Sequence, residues 1–160
     1  MTSLRLIVSA VALAVCLGVT LPQPAAAASN EAASVMSFAT AQTGKPYRWG
    51  ATGMRRYDCS GYVYRAFREA GLLARIGGSR KTAHGYFKWF RNRGLVTSQP
   101  KKGDLVAWGR SRTMHIGIFA GYNGKGKPMA LSALWGGVSK HAVRGITVPF
   151  KAYLRVKMAR

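Results

Sequence analysis

The spacing of apolar residues changes from a helical to an extended period near Pro100. Before that point, apolar side chains recur three or four positions apart in three stretches, which is the spacing of one face of a helix. After it, successive residues fall into two alternating rows, which is the period of antiparallel strands. The pattern predicts an α+β fold in which helices come first and pack on an antiparallel sheet.

Each predicted helix starts behind a residue that can cap it and ends before a glycine. The candidate caps are Ser29 or Asn30, Asp58 or Ser60, and Thr82, and the terminating glycines are Gly44, Gly71 and Gly94. Residues 75–81 are expected to form a basic loop. His84, in the first turn of the third helix, could face a cleft but is expected to be simply solvated. Strands are predicted at 105–108, 115–119, 129–133, 138–143 and 152–156.

Cys59 lies in the first turn of the second predicted helix, directly after Asp58. Unpaired N–H groups and the positive end of the helix dipole favour a thiolate over a thiol at such a position. His115 lies in a strand-like run far along the chain. A nucleophilic cysteine at a helix start, with a distant histidine on a strand, is the arrangement of papain-like cysteine peptidases.

Both residues also have a purely structural interpretation. A cysteine can be a small buried hydrophobe, and a strand histidine can be satisfied within a core. However, Cys59 is the one cysteine that is left if an N-terminal segment containing Cys16 is removed. Because a lone thiol in an oxidising compartment is exposed to unwanted pairing, its presence favours a chemical role.

Residues 1–28 have the composition of a secretory signal peptide. Arg5 is the one charged residue in this segment, an apolar run extends from Leu6 to Val19, and an alanine tract ends at Ala28. The run is too short to favour a transmembrane helix, and the bulky residue before Cys16 disfavours lipidation. The predicted mature chain, residues 29–160, is long enough for one domain with one core.

The chain carries 25 basic and 4 acidic residues, a formal net charge of +21. A field of this sign attracts polyanions such as wall polymers with carboxylates and phosphates, or extracellular nucleic acid. The charge could equally serve solubility and adhesion without a specific partner. Aromatic and basic residues interleave at 86–91, but the aromatics follow helical core spacing, so no specific nucleic-acid partner is predicted.

Four short motifs occur in an order that resembles the NlpC-type cell-wall endopeptidases, a family of papain-like cysteine peptidases. They are Tyr47-Arg48-Trp49-Gly50, Asp58-Cys59-Ser60-Gly61, Gly103-Asp104-Leu105-Val106 and His115-Ile116-Gly117-Ile118. The resemblance covers about residues 34–156. It implies a papain-like α+β fold in which catalytic Cys59, at a helix start, packs on an antiparallel sheet that carries catalytic His115.

The resemblance also implies roles for residues around this pair. Tyr47 matches a tyrosine that helps to hold substrate beside the thiol, and Asp58 and Ser60 match residues that help to bind a free amine on a short wall peptide. A third polar group normally orients the histidine, and alignment puts Ser132 there, where the family commonly carries histidine, asparagine, glutamine or an acid. A hydroxyl stabilises imidazolium less than a carboxylate does. The alternative orienter is His141, which is otherwise expected to be an exposed histidine.

Together with the resemblance, these features predict a secreted, wall-associated cysteine peptidase that acts through a thioester on Cys59. The resemblance implies that it hydrolyses amide bonds in peptidoglycan stem peptides, next to D-glutamate. No metal-ligand set or phosphate-binding glycine loop is visible, so no cofactor is expected. The expected state is a monomer that acts on peptidoglycan and anionic wall polymers, away from the membrane once the leader is removed. Two alternatives stay open: a catalytically weak or inactive wall- or polyanion-binding module of the same fold, and an amidase or acyltransferase.

Overall fold

The computed structural model describes residues 30–160, so the predicted signal peptide and Cys16 lie outside the described residues. Within that range the helices are α1 (Glu31–Ala41), α2 (Cys59–Glu69) and α3 (Ala83–Arg91), with a 3-10 helix at Leu73–Ile76. The strands are β1 (Val96–Thr97), β2 (Leu105–Trp108), β3 (His115–Tyr122), β4 (Pro128–Leu134), β5 (Gly137–Ala142) and β6 (Phe150–Leu154). None of these helices is long and apolar enough to cross a membrane.

Each α-helix begins behind one of the predicted caps. Side-chain oxygens of Asn30, Asp58 and Thr82 accept hydrogen bonds from the backbone N–H three residues later. Such a bond satisfies a donor that the helix itself leaves unpaired, so it fixes the helix start locally. For α2, the cap makes Cys59 the first helical residue.

The strands form one antiparallel sheet in the order β1-β6-β2-β3-β4-β5. The predicted α+β fold, with helices packed on an antiparallel sheet, is confirmed. The short strand β1 has no counterpart in the predicted elements, and the prediction of a final strand at 152–156 is wrong in its bounds. Val156 is fully buried, which extends the apolar pattern, but its N–H donates to Asp104 Oδ1 at 3.0 Å instead of pairing in the sheet.

The sheet is apolar on both faces. The helices cover the main core on one face. On the opposite face a second cluster forms around Trp108 and Phe119 and is covered by apolar residues of the segment 146–150. Trp108 Nε1 donates to the carbonyl oxygen of Val143 at 2.7 Å, which satisfies the buried indole. This second cluster explains why both rows of β2 and β3 are apolar.

Asp104 is a fully buried carboxylate that ties the start of β2 to the C-terminal residues. Its oxygens accept hydrogen bonds from the side chains of Arg155 at 2.8 Å and Arg160 at 2.6 Å. They also accept from the backbone N–H groups of Lys101 at 2.9 Å and Val156 at 3.0 Å. Because a buried charge is tolerated only when it is paired and hydrogen-bonded, these four contacts hold the carboxylate in place.

Asp104→Ala is expected to lower the free energy of unfolding by about 3 kcal/mol, because it leaves two arginines without their anion. Because both arginines are partly exposed, water can solvate them in the variant, so the loss in free energy of unfolding should be at the lower end of the range for a broken buried ion pair. Urea unfolding measures the change. The matched control is Glu69→Ala, which removes an exposed carboxylate 3.1 Å from Arg65 and should cost less than about 1 kcal/mol. Equal losses in the two variants would show that Asp104 does not anchor the C-terminal residues.

Candidate active site

Asp58 holds the start of α2 against the turn that precedes it. Its Oδ1 accepts the N–H of Gly61 at 2.5 Å and the hydroxyl of Ser60 at 2.9 Å, and its Oδ2 accepts the N–H of Gly50 at 2.9 Å. Cys59 lies between these anchored residues. The cap therefore positions the thiol as well as starting the helix.

Gly61 lies at a close approach between this turn and α2. A Cβ built on Gly61 would lie 2.0 Å from the carbonyl oxygen of Ala51. That carbonyl is held in place because it accepts the N–H of Asp58 at 3.0 Å. Backbone thus occupies the space that a side chain would need, which gives a physical reason for a glycine two residues after Cys59.

Arg80 belongs to this site, although its sequence context predicts only a basic loop. Its Nη2 lies 2.6 Å from Asp58 Oδ2, and its Nη1 donates to the carbonyl oxygen of Gly50 at 3.0 Å. One arginine in a strongly basic chain carries no local signal that would distinguish it. With Arg80 bound, Asp58 accepts as many hydrogen bonds as a carboxylate has lone-pair sites. The amine-binding role of Asp58 stays a prediction, and an amine would have to displace one of these donors.

His115 is the first residue of β3, and it is buried. Its Nε2 lies 2.9 Å from Oγ of Ser132, which is fully buried in β4. The same Oγ lies 2.8 Å from Nε2 of His141 in β5. The Trp108 ring packs against both histidines, with centroid distances of 5.1 and 5.8 Å. The structure therefore places both candidate orienters in one row, with Ser132 in the middle, and His141 is half-buried and not exposed.

Burial controls the protonation state of both groups of the predicted catalytic pair. It raises the pKa of the Cys59 thiol, an effect that the N–H of Ile116 opposes and the Asp58 carboxylate reinforces. Burial also lowers the pKa of His115 to about 4, and His141 adds to that effect. The prediction that the helix start favours a thiolate is therefore wrong, because desolvation of the anion outweighs the nearby N–H groups. At neutral pH the pair consists of a thiol and a neutral imidazole.

The thiol of Cys59 lies where α2 packs against the start of β3. It interacts with the backbone N–H of Ile116, the residue directly after His115, so the two predicted residues lie on elements that pack together. On its open side the thiol borders a cleft of about 630 Å³. Tyr47 lines this cleft, and burial raises the pKa of its hydroxyl, which therefore keeps its proton at neutral pH.

More cations than acids line the cleft. Arg80, Lys81 and Arg112 are among its lining residues, whereas Asp58 is the one acid. The cleft is therefore suited to a substrate that carries carboxylates. Within residues 30–160, the cleft included, no three side chains of the metal-ligating types are grouped to hold a metal ion.

His84 also lines the cleft, where it is half-buried. Its Nδ1 accepts the backbone N–H of Thr113 at 3.3 Å. Burial lowers the pKa of His84, and the positive charge of Arg112 contributes to that shift. The expectation of a simply solvated histidine is wrong, because β3 and the loop before it lie over the first turn of α3.

Stability is expected to depend on pH through His115. Folding lowers the pKa of this imidazole from its ordinary value of 6.5 to about 4, so below pH 6.5 the unfolded chain binds a proton that the folded protein rejects. The free energy of unfolding should fall as the pH falls from about 6.5 to about 4, by up to about 3 kcal/mol. Urea unfolding at pH 7 and pH 4 measures this loss. His115→Gln, which cannot titrate, should lose clearly less, and parallel losses in the two proteins would contradict the depressed pKa.

A family model described as the NlpC/P60 family matches residues 44–152. This chain therefore belongs to the NlpC/P60 family, and the resemblance carried by the four motifs is confirmed. Among curated relatives, murein DD-endopeptidase MepH of Escherichia coli (strain K12) is 40% identical over 88 residues, which cover 52% of this chain and 31% of MepH. The chain thus spans about a third of the length of that relative.

Solved structures show the same fold. NlpC1 from Trichomonas vaginalis superposes with a TM-score of 0.64 at 19% identity, over 82% of this chain and 46% of that chain. RipD from Mycobacterium tuberculosis, described as a non-catalytic NlpC/p60 domain protein adapted to peptidoglycan binding, has a TM-score of 0.60 at 22% identity, over 80% of this chain and 98% of RipD. At such identities the likeness shows the fold alone.

Proposed function

We propose that this protein is a secreted cysteine endopeptidase of the cell wall, which hydrolyses amide bonds in peptidoglycan stem peptides next to D-glutamate. The observation that carries the proposal is a cysteine thiol at a helix start, open to a cleft and next to the strand that begins with the buried imidazole of His115. Membership of the NlpC/P60 family supports it, as does the name of MepH, a murein endopeptidase.

In the first half of the reaction, the sulfur of Cys59 attacks the scissile carbonyl carbon while the thiol proton passes to His115. At physiological pH this imidazole is neutral, because burial lowers the pKa of His115 to about 4, so a ring nitrogen has a free lone pair for the proton. Since Nε2 of His115 contacts Ser132, Nδ1 is the nitrogen that takes the proton. The carbonyl oxygen becomes negative, and the backbone N–H of Cys59 and the hydroxyl of Tyr47 are its donors.

The imidazolium then returns its proton to the leaving amine, the C–N bond breaks, and a thioester on Cys59 remains. In the second half, water attacks the thioester carbon and gives a proton to His115. The C–S bond breaks, the carboxylic acid leaves, and the proton returns from His115 to the sulfur. Ser132 accepts a hydrogen bond from the imidazole and so supports its transient charge, though less than a carboxylate would.

The charge of the cleft supports a wall peptide as the substrate. Stem peptides carry carboxylates, and Arg80, Lys81 and Arg112 line the cleft. The net charge of +21 on the whole chain would also hold the protein on anionic wall polymers. We place the protein in the cell wall as a monomer that needs no cofactor and has no specific nucleic-acid partner.

The second candidate is a wall-binding module without catalysis, which the strong positive charge favours. RipD, of the same fold, is described as non-catalytic. The combination of a cleft thiol and a buried neutral imidazole argues for the enzyme in preference to this module.

Product masses from purified stem peptides test the proposal. The wild-type protein should cut a peptide with D-glutamate next to that residue and leave a matched peptide with L-glutamate intact. If the protein sediments with sacculi but no new product masses appear, it is a binding module and not a peptidase. Products cut at another amide would make it an amidase of different specificity.

A further inference from the structure

Three polar side chains form a row across three neighbouring strands. His115 in β3, Ser132 in β4 and His141 in β5 are joined by contacts of 2.9 Å, between Nε2 and Oγ, and 2.8 Å, between Oγ and Nε2. The row ends at the backbone, where Nδ1 of His141 lies 3.0 Å from the carbonyl oxygen of Ala142. Ser132 is fully buried, and His115 nearly so, so water does not compete for the bond between these two side chains.

The chemistry of the last contact fixes the direction of every bond in the row. A carbonyl oxygen can only accept, so Nδ1 of His141 carries a hydrogen, and in the ring form with one hydrogen Nε2 must then accept. The donor to that nitrogen is the hydroxyl of Ser132. A hydroxyl has one hydrogen, so Ser132 Oγ can meet His115 only as an acceptor, and Nε2 of His115 carries the proton. Nδ1 of His115 is left with its lone pair.

We propose that His141 is a positioning residue that, through Ser132, holds His115 in the tautomer with an unprotonated Nδ1. The inference rests on the proposed function in one respect, because only there does Nδ1 serve as the base for Cys59. By itself, Ser132 could either donate to His115 or accept from it, since its hydroxyl can rotate. Because the hydroxyl of Ser132 donates its one hydrogen to His141, its oxygen can only accept from His115.

The row also supports the charged form of His115 that catalysis requires. When Nδ1 takes the thiol proton, Nε2–H becomes a stronger donor to Ser132 Oγ, and the hydroxyl in turn donates more strongly to His141. Ser132 and His141 in series thus supply part of the stabilisation that a single carboxylate would supply. The Trp108 ring, which packs on both histidines, keeps their ring planes from turning.

The tautomer of His115 can be observed without any substrate. In protein labelled with 15N at histidine, two-bond proton–nitrogen spectra at pH 7.5 distinguish Nε2–H from Nδ1–H rings. The wild-type protein should show His115 as the Nε2–H tautomer, and His141→Ala should give a mixture of the two. His141→Gln, whose side-chain oxygen can replace Nε2 as the acceptor, should restore the wild-type signal. Lys140→Ala, an exposed neighbour on the same strand, should change nothing.

Turnover of a soluble stem peptide gives the second measurement. His141→Ala should lower kcat on the order of tenfold, with little change in KM, because Ser132 loses the hydrogen bond that orients its hydroxyl while no contact with substrate is lost. Ser132→Ala should cause a similar loss, and the double variant should be no slower than Ser132→Ala alone, because both residues act through one row.

These experiments test the positioning role of His141 and the proposed peptidase activity independently. A wild-type His115 in the Nδ1–H tautomer would overturn the inference whatever the variants do, and so would a His141→Ala protein with an unchanged His115 signal. A tautomer that depends on His141 in a protein without any turnover would support the row and overturn the proposed peptidase. Losses that multiply in the double variant would show that Ser132 and His141 act independently, against the inference.

Discussion

Cys59→Ser is expected to reduce kcat/KM for a soluble stem peptide by at least about a thousandfold while leaving the fold intact. The serine hydroxyl holds its proton far more tightly than the thiol, so the same imidazole of His115 removes that proton far less readily. The hydroxyl is close in size to the thiol, so the cap at Asp58 and the start of α2 should not change. Product formation is followed by mass spectrometry.

His115→Ala is expected to cause a loss of similar size. Burial raises the pKa of the Cys59 thiol, so without a neighbouring base few molecules carry a thiolate at neutral pH. Because the two residues act as one unit, the double variant should be about as slow as either single variant. Losses that multiply would show that the residues act separately, and turnover retained by Cys59→Ser would place the nucleophile elsewhere. Alkylation of the one cysteine in residues 30–160 provides an independent check, since it should abolish wild-type turnover.

Gly61→Ala is expected to lower the free energy of unfolding by about 3 kcal/mol and turnover by about a hundredfold. Intrinsic helix propensity favours alanine over glycine by about 1 kcal/mol, so propensity alone predicts the opposite sign. The tertiary contact decides, because the new Cβ would lie 2.0 Å from the carbonyl oxygen of Ala51. Either the turn or the first turn of α2 must move, and Cys59 moves with them.

The matched control for this substitution is Gly85→Ala. Gly85 occupies the same place in α3 that Gly61 occupies in α2, three residues after a cap whose side chain accepts its N–H. A Cβ there would meet only side-chain atoms of Lys81 and Thr82, the nearest at 3.1 Å. Gly85→Ala should therefore stay within about 1 kcal/mol of wild type in urea unfolding. Equal behaviour of the two alanine variants would show that the approach of Ala51 does not constrain the site.

The helices, and which residues lie at their starts, could be predicted from the sequence because their causes are local. A cap such as Asp58 acts on an N–H three residues away, and apolar spacing over two or three turns marks one helix face. The two-residue alternation around His115 is equally local, so the sequence also predicts that His115 lies in a strand. The bounds of the last strand were predicted wrongly because burial does not require pairing in a sheet. Val156 is buried in the core, which made it look like part of the strand, but it is not paired in the sheet.

By itself, the sequence determined the α+β class, the caps, and the positions of the cysteine and histidine in their elements. Only the tertiary structure decided which groups surround them: Arg80 on Asp58, and His141 behind Ser132. It also reversed the expected shift of the Cys59 pKa. The physical reason is that caps and periodicity depend on neighbours along the chain, whereas desolvation and hydrogen bonds between strands depend on what the whole fold brings together.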